Sequence, residues 1–333
     1  MSVGPRKAFH LCRRELLALL GTSAAASLWP ARALAKPKKL PFKQLDLHLP
    51  GYADLARRAL VLVPRNLDPA KKHPAVVLLH GYGQALHGSR KAIQAWRDDY
   101  GVARAYGRLD HPPLRRAFHH GHYLSDSRLA ALDKQLQQQS FEGLVLICPV
   151  TPIPYFHKRS GPIFRNYARW VDKVLLPHVR TRAPVSDDPK RIGLAGVSMG
   201  GHVAMELFLS KPQLFGALSL IQAELTRGSA WHYSRRLQST LKRVGTRPIQ
   251  VVTSTRDHYR YANELFHLQL ASRGMANSFQ IDYGPHSSRW MVEAGSLETL
   301  LWQDRVLHAP EPKEPVPPES PGVAGTPHST SQA

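Results

Sequence analysis

Short apolar runs alternate with polar, periodic stretches along most of this chain. Leu60-Val61-Leu62-Val63, Ala75-Val76-Val77-Leu78-Leu79, Leu144-Val145-Leu146-Ile147-Cys148-Pro149-Val150, Ala217-Leu218-Ser219-Leu220-Ile221 and Ile249-Gln250-Val251-Val252-Thr253 are too short for buried helices and read as strands. The run over 75–79 has no polar position, so it predicts a strand covered on both faces. Leu45, Leu47 and Leu49 alternate with polar residues and predict an edge strand. Arg191-Ile192-Gly193-Leu194-Ala195 and Phe279-Gln280-Ile281-Asp282-Tyr283 complete the strand set. Helices are predicted over 89–106, 126–140, 163–182, 260–273 and 289–307. In the third, Phe164, Tyr167, Val171, Val174, Leu175 and Val179 recur at helical spacing, with a bend expected at Pro177. Strands alternating with helices imply an α/β fold with a mostly parallel central sheet and helices on both faces.

The two ends break this pattern. Arg13-Arg14 precede the apolar run Leu16–Leu20, and Ala33-Leu34-Ala35 has the form of a cleavage site. The run is shorter than the roughly 20 residues a spanning helix needs. Residues 1–35 therefore read as a signal peptide, and the paired arginines make it twin-arginine-like. Residues 308–333 are rich in Pro, Ser, Glu and Thr and read as a disordered tail. The globular domain is then 36–307, and the expected destination is the periplasm or exterior of a bacterium. Outside the signal stands one cysteine, Cys148, which excludes an intramolecular disulfide and reads as a small buried hydrophobe.

The 333-residue chain carries 45 Lys and Arg against 24 Asp and Glu, a net charge of +21. Without the first 35 residues, 40 basic and 23 acidic side chains remain. No helix-turn-helix, zinc finger or aromatic RNA platform accompanies the charge, so a nucleic-acid partner is not indicated. An anionic envelope surface suits it better. Oligomeric state is not legible.

The chemistry concentrates in Leu194-Ala195-Gly196-Val197-Ser198-Met199-Gly200-Gly201-His202-Val203. A strand, a tight turn and a helix follow one another, and Gly-x-Ser-x-Gly places small residues two before and two after one hydroxyl. A serine hydroxyl is a poor nucleophile without a base and an orienting carboxylate. Asp257 follows the strand at 249–253 and His286 follows the strand at 279–283, in the order Ser, acid, His. Asp282 and Glu224 are rival acids. His258 reads as a pocket-wall or surface residue, and His80 as a brace of its own loop. The oxyanion of an acyl-transfer intermediate needs two amide donors. Met199, directly after the serine, is one candidate. Tyr82, with Gly83 second, is the other, in His80-Gly81-Tyr82-Gly83-Gln84. His119, His120 and His122 lack the Cys or carboxylate pattern of a metal site and read as a solvated or substrate-facing loop. No dinucleotide or phosphate-binding fingerprint is present, so no metal or organic cofactor is expected.

His80-Gly81-Tyr82-Gly83, Gly196-Val197-Ser198-Met199-Gly200-Gly201, Thr255-Arg256-Asp257 and Gly284-Pro285-His286 with Trp290 resemble the esterase D-type "putative esterase" family of the α/β-hydrolase superfamily, over roughly 57–307. The resemblance implies an α/β-hydrolase fold and an esterase with Ser198 as nucleophile, Asp257 as acid and His286 as base. It implies small-molecule or polysaccharide-linked ester substrates, acetyl and feruloyl esters among them. The basic, His-rich 107–125 segment departs from the family pattern and is expected to shape the substrate pocket. Two other readings use the same scaffold: an acyltransferase on the same three residues, and a non-catalytic protein that holds anionic envelope polymer.

Overall fold

The computed structural model describes residues 41–51, 57–118, 123–156 and 160–310. The signal at 1–35, most of the tail, and His119, His120 and His122 lie outside the described residues. Eight strands form one sheet: β1 (Phe42–His48), β2 (Arg58–Pro64), β3 (Ala75–Leu79), β4 (Val145–Pro149), β5 (Ile192–Val197), β6 (Ala217–Ile221), β7 (Ile249–Arg256) and β8 (Ser278–Pro285). Their order is β1-β2-β4-β3-β5-β6-β7-β8. β1 and β2 pair antiparallel, β2 pairs antiparallel with β4, and the remaining pairs are parallel. Every residue of β3, β4, β5 and β6 is buried, because helices cover both faces. In β1 the side chains of Phe42 and Leu47 are buried while Lys43, Gln44, Asp46 and His48 are exposed, as suits an edge strand.

The helices are α1 (Tyr82–Ala85), α2 (Ser89–Ala92), α3 (Ala95–Asp98), α4 (Val102–Asp110), α5 (Asp126–Gln138), α6 (Ser160–Trp170), α7 (Leu176–Arg180), α8 (Met199–Ser210), α9 (Arg227–Val244), α10 (Arg260–Ser272), α11 (Ser288–Trp290) and α12 (Ser296–His308). One core packs Phe164, Tyr167, Val203, Phe208, Leu237 and Phe266 of α6, α8, α9 and α10 on one face of the sheet. The other packs Trp96, Tyr106, Leu132, Trp290 and Leu300 of α3, α4, α5, α11 and α12 on the opposite face. Cys148 lies in the second, fully buried as a free thiol, and burial pushes that thiol well above its usual range. No helix among the described residues is long and apolar enough to cross a membrane.

Four elements differ from expectation. The single helix expected over 89–106 is three short ones. Gly101 takes the left-handed region at φ 67° and breaks the run before α4. The bend expected at Pro177 is met by a π-helical turn over Val171–Leu175, between α6 and α7. Proline has no N–H and its ring crowds the carbonyl four residues earlier, so the ladder loosens one turn ahead of it. A second such turn, Met291–Gly295, joins α11 to α12. α9 has no counterpart among the helices the sequence pattern predicts. Its buried positions Ala230, Tyr233, Ser234, Leu237 and Leu241 follow helical spacing, but eight of its other positions are basic or hydroxylic and dilute the apolar pattern.

Candidate active site

Ser198 stands between β5 and α8 with φ 57° and ψ −123°, outside the comfortable region for a residue with a Cβ. Such a backbone costs about 1–3 kcal/mol and persists only where neighbours impose it. The amide of Ser198 donates to Ile221 O at 3.0 Å, and its carbonyl accepts from the amides of Gly201 at 2.9 Å and Glu224 at 3.0 Å. The flanking glycines are steric requirements. A Cβ on Gly196 would stand 2.1 Å from Gly200 O, and one on Gly201 would stand 2.7 Å from Ala223 Cβ. The turn therefore closes only with glycine there, and the half-buried serine is left at the carboxyl end of the sheet.

Asp257 follows β7 and His286 follows β8, so adjacent parallel strands deliver both to the same edge as Ser198. Asp257 Oδ1 accepts from His286 Nδ1 at 2.8 Å. The Tyr259 amide donates to the same oxygen at 3.0 Å, and Thr253 Oγ1 donates to Oδ2 at 2.7 Å. The Asp257 side chain is 0% exposed and that of His286 is 20% exposed. Burial works against the Asp257 charge, but the bonds and charge of His286, the Tyr259 amide and Thr253 outweigh it and hold the carboxyl below its ordinary value. With Nδ1 committed to the carboxylate, Nε2 is the ring nitrogen left to face a proton donor. Among the described residues Ser198 Oγ makes no hydrogen bond, a common state of such a pair before substrate arrives.

The rival acids are engaged with other partners. Asp282 accepts from Gln280 at 2.7 Å, and burial, together with the Glu298 charge, pushes it up to about 7. Glu224 lies beside Ser198 but accepts the Tyr155 hydroxyl. His258 is exposed, its ring 4.5 Å from that of His286. Burial and the His286 charge lower it, against the pull of Asp257. Asp257, His258 and His286 together offer three donor atoms within 4.8 Å, a set suited to zinc-like ions. His286 Nδ1 and Asp257 Oδ1 are already spent on each other, which argues against that use.

His80, at the end of β3, is a brace. Its Nδ1 donates to Gly81 O at 3.0 Å, its Nε2 accepts from the Thr151 amide at 2.9 Å, and its own amide donates to Thr151 Oγ1 at 2.9 Å. Burial drives its imidazole down to about 4, so it is neutral at pH 7. This fixes the loop that begins α1, where a Cβ on Gly81 would lie 3.5 Å from Ser198 Cβ. The amides of Tyr82 and Gly83 open α1, the amide of Met199 opens α8, and none donates to another group among the described residues. First-turn amides are the ones a helix leaves unpaired; Met199 directly follows the serine, and Tyr82 directly follows Gly81.

Sequence reasoning did not anticipate Gln222. It adopts φ 43°, and its Nε2 donates to Ser254 Oγ at 2.6 Å and to Pro285 O at 3.1 Å. It ties the end of β6 to the loop that carries His286. A non-glycine positive φ leaves no composition signal, so only the structure reveals it. Gly284 takes φ 137°, and a Cβ there would meet Trp290 Cδ1 at 2.7 Å, which accounts for glycine and tryptophan on either side of His286.

Residues 154–267 match the sequence model of a family described as "Putative esterase". A ferulic acid esterase superposes with a TM-score of 0.57 at 15% identity, covering 80% of this chain and 99% of its own. The S-formylglutathione hydrolase of Staphylococcus aureus superposes at 0.54 and 12% identity, covering 79% and 98%. The feruloyl esterase module from Clostridium thermocellum, as a serine-to-alanine mutant complexed with sinapinate, superposes at 0.54 and 13% identity, covering 82% and 89%. At these identities the likeness establishes the fold. No curated protein sequence matches.

Proposed function

We propose that this chain, a member of the "putative esterase" family with the α/β-hydrolase fold, cleaves carboxylic esters with Ser198 as nucleophile, His286 as base and Asp257 as the orienting carboxylate. His286 Nε2 takes the hydroxyl proton as Ser198 Oγ bonds the ester carbonyl carbon. The carbonyl electron pair moves onto its oxygen, which the Met199 and Tyr82 amides hold, with Gly83 as the alternative donor. The alcohol leaves with the proton carried by His286. Water then loses a proton to His286 and attacks the acyl-enzyme, releasing the acid and restoring Ser198.

The observation that carries this reading is the 2.8 Å bond between His286 Nδ1 and Asp257 Oδ1 on the sheet edge where the strained Ser198 turn projects. Ser198→Ala is expected to abolish hydrolysis of p-nitrophenyl acetate and labelling by a fluorophosphonate, with circular dichroism unchanged. Turnover retained by that variant refutes the assignment.

Export is part of the proposal: the arginine pair and Ala33-Leu34-Ala35 support cleavage after residue 35, releasing a basic 36–307 hydrolase domain with its tail toward an anionic envelope. Amino-terminal sequencing of the protein recovered from the periplasm is expected to start at Lys36.

A further inference from the structure

The ester-cleaving steps leave Glu224 unused, although it stands beside the nucleophile. Its amide donates to Ser198 O at 3.0 Å. Its half-buried carboxylate accepts the hydroxyl of Tyr155. Tyr155 follows β4 and Glu224 follows β6, with β3 and β5 between them. Their hydrogen bond therefore crosses the ends of the two strands that lead to Tyr82 and Ser198. Burial raises the Glu224 carboxyl above its ordinary value, against the Tyr155 bond and the charge of His286.

Glu224 makes no ion pair among the described residues, in a chain with 45 Lys and Arg against 24 Asp and Glu. Two other glutamates are matched: Glu206 meets Arg236 at 2.7 Å and Glu298 meets Arg128 at 2.6 Å, whereas buried Asp282, also without an ion pair among the described residues, is pushed up to about 7 instead. A carboxylate withdrawn from water without a cation is costly, and at a substrate-facing position the ligand can supply one.

Aromatic rings surround the same place. The Tyr82 ring lies 5.8 Å from that of Tyr155 and 6.5 Å from that of Phe156, both edge-on. Tyr259 lies 5.6 Å from the His286 ring, and the Glu224 charge helps raise its phenol above the usual range, after burial. Tyr155 and Phe156 are 42% and 66% exposed, so both are within reach of a ligand from solvent. Aromatic faces with a carboxylate are the surroundings that attract quaternary ammonium groups.

We propose that this site takes esters bearing an ammonium group, held between Glu224 and the rings of Tyr82, Tyr155 and Tyr259. The proposal rests on Ser198 being the esterase nucleophile. The basic surface opposes a cation at a distance, but salt screens that field beyond about 8 Å. Contact with Glu224 lies inside that range. A neutral aryl ester would strip water from the carboxylate and return no charge.

The full chain and its Glu224→Gln and Tyr155→Phe variants are assayed on two substrate pairs. The first is acetylthiocholine and the uncharged isostere with carbon in place of the quaternary nitrogen, which puts the cation on the leaving group. The second is the p-nitrophenyl ester of trimethylammonio-butyrate and its carbon isostere, which puts it on the acyl side. In at least one pair the cationic ester is expected to show kcat/KM about tenfold higher or more, equivalent to ~1.4 kcal/mol. Glu224→Gln keeps an acceptor for Tyr155 and is expected to lose the preference, mainly through KM of the cationic ester. Tyr155→Phe leaves the charge in place and is expected to keep it. Equal kcat/KM within both pairs, or a preference that survives Glu224→Gln, overturns the inference. Wild-type turnover of p-nitrophenyl acetate separates the two readings. Its absence sinks the esterase assignment and this inference with it; its presence without a cation preference sinks only the inference.

Discussion

In the proposed mechanism, Gly200 is the position where packing and catalysis are most tightly joined. A Cβ there would stand 2.4 Å from Leu79 O and 2.7 Å from His80 O, whereas ordinary contact begins near 3.4 Å. Gly200→Ala must therefore open about 1 Å between the start of α8 and the end of β3. Neither obstacle is a side chain that can rotate away, and β3 is pinned between β4 and β5. Either α8 retreats, carrying Ser198 and the Met199 amide, or the His80–Tyr82 loop retreats, carrying the Tyr82 amide. Both separate the proposed nucleophile from one of its proposed oxyanion donors. A misplacement of about 1 Å costs about 10²-fold in rate, and overpacking of this kind costs roughly 1–3 kcal/mol of stability. The expected result is kcat/KM on p-nitrophenyl acetate lowered about 100-fold, with fluorophosphonate labelling slowed in parallel. The melting temperature should fall by about 2–4 °C per kcal/mol lost. Gly107 is the control. It lies inside α4, and a Cβ there meets nothing within 4 Å. Gly107→Ala is expected to leave kcat/KM unchanged and to stabilise by about 0.5–1 kcal/mol. Wild-type kcat/KM and melting temperature in Gly200→Ala would refute the claim that this close approach sets the distance between nucleophile and oxyanion donors.

Asp257→Asn preserves shape but removes the charge that fixes the His286 tautomer, so kcat is expected to fall about 10³- to 10⁴-fold with KM little changed; steady-state kinetics near neutral pH check it. His80 is neutral in the fold down to about pH 4, while the unfolded chain takes up that proton near 6.5. Its contribution is whole above pH 6.5 and is lost as pH falls through 4, about 3 kcal/mol in all. Urea unfolding of wild type and His80→Gln between pH 4 and 7 should show the difference between them shrinking toward the acid side. Asp282 has the opposite sign. Its carboxyl, pushed up to about 7, stabilises the fold when protonated. That contribution is whole below about 3.8 and disappears as pH rises through 7. The uncharged Asp282→Asn should therefore gain on wild type by up to about 4 kcal/mol between pH 4 and 7. A difference that does not change with pH would show that Asp282 ionises normally.

What the chain reveals about itself depends on how far apart the cooperating residues lie. Ser198 and its glycines act within one strand-turn-helix, so their spacing can be read directly, and the sterics at Gly196 and Gly200 explain it. Asp257 and His286 are each placed by the end of a single strand. Reading them required only that β7 and β8 run parallel to β5, which the alternation of strands and helices implies. The break at Gly101, the π-helical turn before Pro177 and the whole of α9 were less legible, because local propensity there is weak and packing against the sheet decides the outcome. Tyr155 was invisible. Its partner Glu224 is 69 residues away, and they meet only because the sheet order places β3 and β5 between β4 and β6. Strand order is set by which faces bury best across the whole sheet, and no run of residues states it. The proposed catalytic groups can therefore be located one strand at a time, whereas the proposed substrate contacts are assembled from loops brought together by the order of all eight strands. Glu224 illustrates the consequence: as a sequence position it is a rival for the acid's role, and only its contacts with Ser198 and Tyr155 turn it into a candidate for binding charge.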